Sequence, residues 1–184
     1  RDFKMKSWSS RSAALMMSVS LIALTACEEP KVDASIYESI GQCKSDPYNT
    51  ADQCEVSFKE ASSQHAAVAP KYSSAEDCQA DFGQGKCEKA PYKTSSGGSV
   101  FMPLMMGYMM GSMMGGRSSM MSQPLYRSAK SPNSFRTSDN QNVGSKTGGT
   151  KVARSATSRP SFKNSTRSRG GFGSSARRFG SAAT

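Results

Sequence analysis

Hydrophobic residues are concentrated in three stretches of the chain, and the spacing within each stretch predicts a different element. The first is uncharged and runs from residue 12 to residue 26, which is shorter than the ~20 apolar residues that cross a bilayer. The third, residues 94–116, lacks charge and is rich in methionine and glycine. In the second, apolar and small residues recur at steps of three and four, which is the period of one helix face: Cys54, Phe58, Ala61, His65 and Val68.

Polar residues mark the ends of the second stretch. Thr50 and Gln53 have the spacing of a capping box, in which each side chain accepts a hydrogen bond from the other residue's backbone. At the other end, Pro70 disfavours the helical conformation at the residue before it. The sequence therefore predicts a helix over about residues 51–68.

An internal repeat with a period of 35 residues links residues 37–46 to residues 72–81. Both copies contain the pattern Tyr-x-Ser-x3-Cys-x2-Asp, and a Cys-Glu pair follows each of them. Ser39 and Ser74 each stand three positions before a polar residue that can complete a cap. Each copy is therefore expected to form a short helix that carries a cysteine.

The methionine- and glycine-rich stretch predicts a third kind of helix, beginning after Pro103. Residues four apart then form rows, and a row of glycines lets a second helix approach closely while methionines beside it supply adaptable apolar contacts. Glycine inside an exposed helix costs ~1 kcal/mol relative to alanine, so this helix needs a partner. Self-association or membrane insertion is therefore expected through Met105, Gly107, Met109, Gly111, Met113 and Gly115.

The expected fold class is mostly α and irregular. From residue 117 onward the chain is rich in serine, glycine, arginine and lysine, and such a composition buries too little apolar surface to offset the entropy of ordering. We therefore expect a small disulfide-stapled helical domain, a Met/Gly-rich apolar helix and a long disordered basic tail. The expected segments are a signal peptide (1–26), a tether (27–34), an acidic helical domain (35–91), a linker (92–99), the Met/Gly-rich segment (100–116) and the tail (117–184).

Basic residues precede the first hydrophobic stretch, and Leu24-Thr25-Ala26-Cys27 closes it. This pattern is typical of a bacterial lipoprotein signal peptide, after which the cysteine is acylated. Several acyl chains on Cys27 give stable anchoring, because a single chain binds a membrane only marginally. A short buried helix would not need the basic lead-in. We expect a lipid-anchored envelope protein that faces the periplasm, and Glu28 favours the outer over the inner membrane.

The remaining cysteines are Cys43, Cys54, Cys78 and Cys87. An even number of cysteines in a short exported segment predicts disulfides, because such a segment buries too little surface to be stable alone. A metal site is less favoured, since no C-x2-C pair is present and the chain has one histidine. Four cysteines allow three pairings. The repeat favours Cys43–Cys54 with Cys78–Cys87, and a nested pairing that joins the two short helices stays open.

Charge divides the chain into two parts. Residues 28–91 contain 12 acidic and 6 basic side chains, whereas residues 92–184 contain 14 basic and 1 acidic. A basic tail suits an anionic surface such as lipopolysaccharide, phospholipid headgroups or a cell-wall polymer, at ~1 kcal/mol for each lysine or arginine. Export argues against nucleic acid as the partner. The leading hypothesis is a non-enzymatic, cofactor-free envelope protein that acts as a scaffold or binding protein and can form a homo-oligomer.

A soft-metal binding protein is the alternative function. Met-x-x-Met pairs supply thioethers suited to Cu(I) or Ag(I), although apolar packing is the ordinary role of methionine. The candidate ligands are Met102, Met105, Met106, Met109, Met110 and Met113. An enzyme is the least favoured hypothesis, because His65 has no nucleophile or acid partner by spacing and no C-x-x-C redox pair is present.

Several short motifs resemble one protein family. The run Phe101-Met102-Pro103-Leu104, followed by Gly107-Tyr108-Met109-Met110-Gly111, is similar to the most specific motif of the YgiB-like family of uncharacterised Gram-negative bacterial proteins. Similar short matches extend to Arg169-Gly170-Gly171-Phe172-Gly173 near the end of the chain. No activity or ligand is established for that family, so the resemblance implies no site residue.

Overall fold

Strands form a larger part of the folded unit than helices do. A computed structural model describes residues 29–111, 122–162 and 166. The chain divides into residues 1–30 and residues 31–184, and all described elements belong to the second unit. In chain order they are β1 (Lys31–Tyr37), α1 (Ile40–Lys44), α2 (Ala51–Val68), α3 (Ala75–Phe82), β2 (Cys87–Lys93), β3 (Ser99–Pro103), β4 (Gly107–Gly111), β5 (Gln123–Ser128), β6 (Ser131–Arg136), β7 (Asn142–Gly144), β8 (Gly148–Ala153) and a 3-10 helix (Arg154–Thr157).

Six strands form one antiparallel sheet in the order β7-β6-β5-β4-β1-β8, and β2 and β3 form a separate hairpin. The first strand lies between two strands from the second half of the chain. Ile36 of β1 is opposite Met109 of β4, and Val32 of β1 is opposite Val152 of β8. The two edge strands, β7 and β8, contact each other, so the sheet curls around its own inner face.

Apolar clusters lie on both faces of the curled sheet. All six strands contribute to the inner cluster, which contains Ala34, Ile36, Met109, Leu125, Phe135, Val143, Val152 and Ala156. On the outer face, α1 and α2 pack over Tyr37, Tyr108 and Met110. A third cluster joins α3 and the β2–β3 hairpin to Tyr126. The central strands β1, β4 and β5 are therefore buried on both faces.

The predicted helix over residues 51–68 is confirmed as α2. Thr50 caps it, and both hydrogen bonds of the capping box to Gln53 are present. Ser39 and Ser74 cap α1 and α3, where their side chains accept hydrogen bonds from the backbone of the residue three positions later. Gly83 ends α3 with φ of +102°, a conformation that a side chain would strain.

The internal repeat corresponds to a repeated piece of structure. In each copy the tyrosine hydroxyl donates a hydrogen bond to the aspartate nine residues later: Tyr37 to Asp46 at 2.7 Å, and Tyr72 to Asp81 at 2.8 Å. Each copy also closes its own disulfide, Cys43–Cys54 in the first and Cys78–Cys87 in the second. The copies diverge after the aspartate, since the second cysteine lies on α2 in one and on β2 in the other.

The expectation of a mostly α and irregular fold is wrong, and the Met/Gly-rich helix is part of the error. Residues 99–103 and 107–111 are strands β3 and β4. Four consecutive residues of β4 are buried, because side chains on both of its faces pack into a core. A strand buried on both faces shows no apolar–polar alternation, so its sequence is not distinguished from a helix by period.

The predicted disordered tail is also wrong for residues 122–162, which form β5 to β8 and the 3-10 helix. Composition misled because each of β6, β7 and β8 places a single large apolar side chain in the inner cluster: Phe135, Val143 and Val152. Neighbouring strands provide the rest of the burial. The other predicted segments also meet the observed elements at different places. The tether (27–34) overlaps β1, and the linker (92–99) contains the turn between β2 and β3. Residues 35–91 share a sheet with the C-terminal half through β1.

None of the helices within residues 29–111 and 122–162 combines the length and the hydrophobicity that crossing a membrane requires. The predicted signal peptide and Cys27 lie outside the described residues.

Candidate functional site

A groove of about 680 Å³ with a mixed polar and apolar lining opens on the surface beside β1. One wall comes from the loop between α1 and α2, with Asp46, Tyr48 and Asn49, and the other from β1 and β8, with Asp33 and Lys151. Met110 and Gly111 of β4 also line it. Its volume lies within the range of ~300–1,000 Å³ that is usual for small-molecule sites.

Hydrogen bonds and a disulfide fix the loop wall of the groove. The Cys43–Cys54 bond closes the loop at its base. Asp46 accepts hydrogen bonds from the Tyr37 hydroxyl at 2.7 Å and from the backbone N–H of Tyr48 at 3.1 Å. The Asn49 amide donates to the same tyrosine oxygen at 2.6 Å. The polar side chains of this wall are therefore held in place before any ligand arrives.

The groove carries opposite charges. Lys151 forms an ion pair with Asp33 across β8 and β1, with a distance of 3.0 Å between Nζ and Oδ1. The hydrogen bond from Tyr37, together with that from the Tyr48 backbone, lowers the pKa of Asp46 below its ordinary value, so this carboxylate stays ionised. Both hydrogen-bond donors and acceptors thus face the space between the walls.

His65 belongs to a second polar cluster, which is closed. Its Nε2 lies 3.1 Å from a carboxylate oxygen of Glu88, and its Nδ1 lies 3.0 Å from the hydroxyl of Tyr126. Because the carboxylate only accepts, Nε2 carries the proton and Nδ1 accepts from the phenol. Burial lowers the pKa of His65, which favours this neutral form.

Tyr126 itself is fully buried, and burial raises the pKa of its phenol well above the ordinary value. The groove does not reach the Tyr126 hydroxyl, and the hydrogen bonds of this cluster join α2 to β2 and β5. Sequence spacing missed Glu88 as the partner of His65, because the two residues come from a helix and a hairpin and lie 23 positions apart.

A basic surface follows the C-terminal strands. Residues 122–162 contain seven basic side chains and one acidic side chain, Asp139. Arg127 and Lys151 form ion pairs with Glu38 and Asp33 of the N-terminal half. The other exposed basic side chains, which we call the basic face, form no ion pair within the described part of the chain: Lys130, Lys146, Arg154 and Arg159.

The helices leave this part of the molecule uncovered. They contact chiefly β1, β4 and β5 and the β2–β3 hairpin, whereas the main contacts of β6, β7 and β8 are with one another, with β1 and β5, and with the 3-10 helix. The acidic helices and the basic C-terminal residues, which the sequence analysis assigns to a helical domain and a disordered tail, therefore belong to one folded unit.

The candidate methionine ligands do not converge. Met102 lies in the cluster beneath the hairpin, Met109 in the inner cluster, and Met110 in the outer cluster with Met105 beside it. Neighbouring residues on a strand point to opposite faces, which separates Met109 from Met110. Met106 is half-buried, and Met113 lies outside the described residues. The thioethers that the structure describes serve apolar packing in three places.

The residues predicted for self-association are likewise placed inside the fold. Gly107 and Met109 are buried in β4, Met105 is half-buried, and Gly111 lines the groove. Gly107 and Met109 are therefore not available to a second molecule in this fold, whereas Met105 and Gly111 keep part of their surface accessible. Self-association stays a prediction. Gly115, like Met113, lies outside the described residues.

Comparison with known proteins places the chain in a family. Residues 31–182 match the family described as "Protein of unknown function (DUF1190)". A curated relative, a UPF0441 protein of Erwinia tasmaniensis, is 38% identical over 188 residues, covering 92% of this chain and 84% of the relative. No solved structure matches. The match extends over most of the chain and agrees with the resemblance to YgiB-like proteins, so the chain belongs to the DUF1190 family.

Proposed function

We propose that the protein is a non-enzymatic, lipid-anchored protein of the cell envelope that binds anionic envelope components through its basic face. The observation that carries the proposal is the charge of residues 122–162, where Lys130, Lys146, Arg154 and Arg159 are exposed and unpaired within the described chain. Lys130 and Lys146 lie in the turns before β6 and β8, and Arg154 and Arg159 lie in and just after the 3-10 helix. These segments are already ordered in the fold, so binding does not require their backbone to become ordered first.

Acidic residues of the N-terminal half support this arrangement. Glu38 and Asp33 form ion pairs with Arg127 and Lys151. The four side chains of the basic face form no such pair within the described residues, so their charge stays available. An anionic membrane surface attracts each such lysine or arginine by ~1 kcal/mol, and salt weakens the attraction.

Vesicle binding tests the basic face. In the full chain, replacing Lys130, Lys146, Arg154 and Arg159 with glutamine is expected to weaken binding to phosphatidylglycerol vesicles on the order of a hundred-fold or more at low salt. The matched control replaces four exposed lysines of the helical and hairpin half: Lys59, Lys86, Lys89 and Lys93. Equal losses in the two variants, or equal binding to neutral phosphatidylcholine, would contradict the role of the basic face.

Mass spectrometry of membrane fractions tests the anchor. The peptide that begins at Cys27 is expected to carry acyl chains, and the Cys27→Ala variant is expected to leave the membrane fraction. An intact leader with an unmodified thiol at Cys27 would refute lipid anchoring while leaving the basic face to be judged by the vesicle experiment.

A further inference from the structure

Tyr48 is the most exposed large hydrophobic side chain in the described part of the chain, with 93% of its surface accessible. It lies at the rim of the groove, two residues after Asp46. The Asp46 carboxylate accepts a hydrogen bond from the Tyr48 backbone N–H. Covering the exposed apolar surface of an aromatic ring with a ligand contributes about 25 cal/mol of free energy per Å² removed from water. Two torsion angles set the orientation of a tyrosine ring, so the ring gives a large contact area at a small entropy cost on binding.

Both walls of the groove carry polar side chains, among apolar surface that includes Ala34 and Met110. Asp46 and Asn49 stand on the loop wall, and Asp33, Thr150 and Lys151 stand on the strand wall. Together these groups supply carboxylate, amide, hydroxyl and ammonium functions within one space. Hydroxyl groups of a ligand each donate and accept, so a mixed set of this kind matches a hydroxyl-rich molecule.

β1 cannot take an added peptide strand at this groove. The groove wall formed by β1 offers side chains only, because both edges of β1 already pair, with β4 and with β8. Strand addition requires a free edge. The lining also disfavours a polyanion. Asp33 neutralises Lys151 in a 3.0 Å ion pair, and Asp46 stays ionised, so the balance of charge in the groove is negative.

We propose that this groove binds a short stretch of uncharged glycan, with the Tyr48 ring stacked on the apolar face of one sugar ring and the polar walls bonded to its hydroxyl groups. The site is separate from the basic face, so its ligand class is independent of the function proposed above. Lys151 is the basic residue of the groove, and it forms an ion pair with Asp33.

Titration with defined oligosaccharides tests the proposal. The full chain with both disulfides formed is titrated with a tetramer of N-acetylglucosamine and with a tetramer of glucose, using calorimetry and amide chemical shifts. At least one neutral tetramer is expected to bind saturably and to shift the amides of Asn49, Gly149 and Thr150. Tyr48→Ala is expected to weaken that binding about ten-fold, and Tyr48→Phe, which keeps the ring, to retain most of it.

Phe162→Ala is the matched control. Phe162 is also an exposed aromatic residue, at 70% accessibility, and it does not line the groove. Its removal is expected to leave oligosaccharide binding unchanged. The proposal fails if neither neutral tetramer binds at millimolar concentration, if Tyr48→Ala binds as tightly as the wild type, or if Phe162→Ala weakens binding equally. It also fails if polyphosphate, added as a charged probe, shifts the groove amides and the neutral sugars do not.

Discussion

Gly107 occupies a position on β4 where a side chain has no room. A Cβ atom there would lie 2.8 Å from the carbonyl oxygen of Tyr37 and 3.2 Å from the Phe135 ring. The first distance is shorter than real contacts, and the obstacle is backbone of the neighbouring strand, which cannot move without disturbing the sheet. At Gly111 of the same strand, a Cβ atom would meet nothing within 4 Å.

Gly107→Ala is therefore expected to lower the free energy of unfolding by about 1–3 kcal/mol, the usual cost of overpacking a core. Gly111→Ala is the control, because both substitutions reduce the entropy of the unfolded chain by a similar amount. Urea unfolding of the two variants measures the difference. Equal stabilities would contradict the close approach of β1 and β4 at Gly107.

His65 gives the stability a dependence on pH. Burial lowers its pKa from 6.5 in the folded chain, against the weaker opposite effect of Glu88. The unfolded chain then binds more protons than the folded chain just below pH 6.5, so stability falls as the pH falls through that region toward the lowered pKa. Above pH 6.5 the imidazole is neutral in both the folded and the unfolded chain, so His65 no longer makes the free energy of unfolding depend on pH.

The variant His65→Gln is expected to lose this component, because glutamine is neutral throughout while still offering a donor and an acceptor. Unfolding free energies measured between pH 7 and pH 5 should fall more steeply for the wild type than for the variant. Parallel curves would show that His65 is not held neutral by its surroundings.

At the scale of elements, the two copies of the repeat use the same bond in different surroundings. Asp81 is 4% exposed, whereas Asp46 is half-buried at the groove. Loss of the Tyr72 hydroxyl leaves a charged oxygen that water reaches poorly. Tyr72→Phe is therefore expected to cost about 2 kcal/mol of stability, and Tyr37→Phe about 1 kcal/mol. Thermal or urea unfolding of the two single variants compares the costs, and a larger loss for Tyr37→Phe would reverse the argument.

The helices can be predicted from the sequence and the strands cannot, for a physical reason. Ser39, Thr50 and Ser74 cap helices through hydrogen bonds within three residues, so local sequence is enough to place α1, α2 and α3. The repeat likewise points to the disulfides that each copy closes. Strand β4 depends on pairing with β1, where Ile36 lies opposite Met109, and no local pattern records so distant a partner.

The candidate site shows the same division. Cys43 and Cys54 at the base of its loop are visible in the sequence, but the groove also needs Lys151 of β8 opposite that loop. Nothing in the spacing of residues 33 and 151 predicts their ion pair, because pairing of the first strand with the last one creates it. The basic charge of the C-terminal half can be counted in the sequence, whereas the fold that arranges it cannot be predicted from composition.

For the whole molecule, the position of β1 means that neither half of the chain completes the sheet alone. Its two partners, β4 and β8, both follow residue 91. A fragment of residues 27–91 is therefore expected to lack a cooperative unfolding transition, although both disulfides lie within it. Circular dichroism during heating measures this, with the full chain as the control. A cooperative transition in the fragment would restore the separate helical domain predicted from composition.

The same pairing sets the order in which the structure can form. Val32 and Val152 are 120 positions apart, whereas the disulfides join cysteines only 11 and 9 positions apart. Distant contacts close slowly because a long loop must lose entropy first. The two small covalent loops can therefore close before the sheet does, because the sheet needs its last strand. During that interval the apolar residues of β4 remain uncovered, which makes nascent chains the species most prone to aggregate.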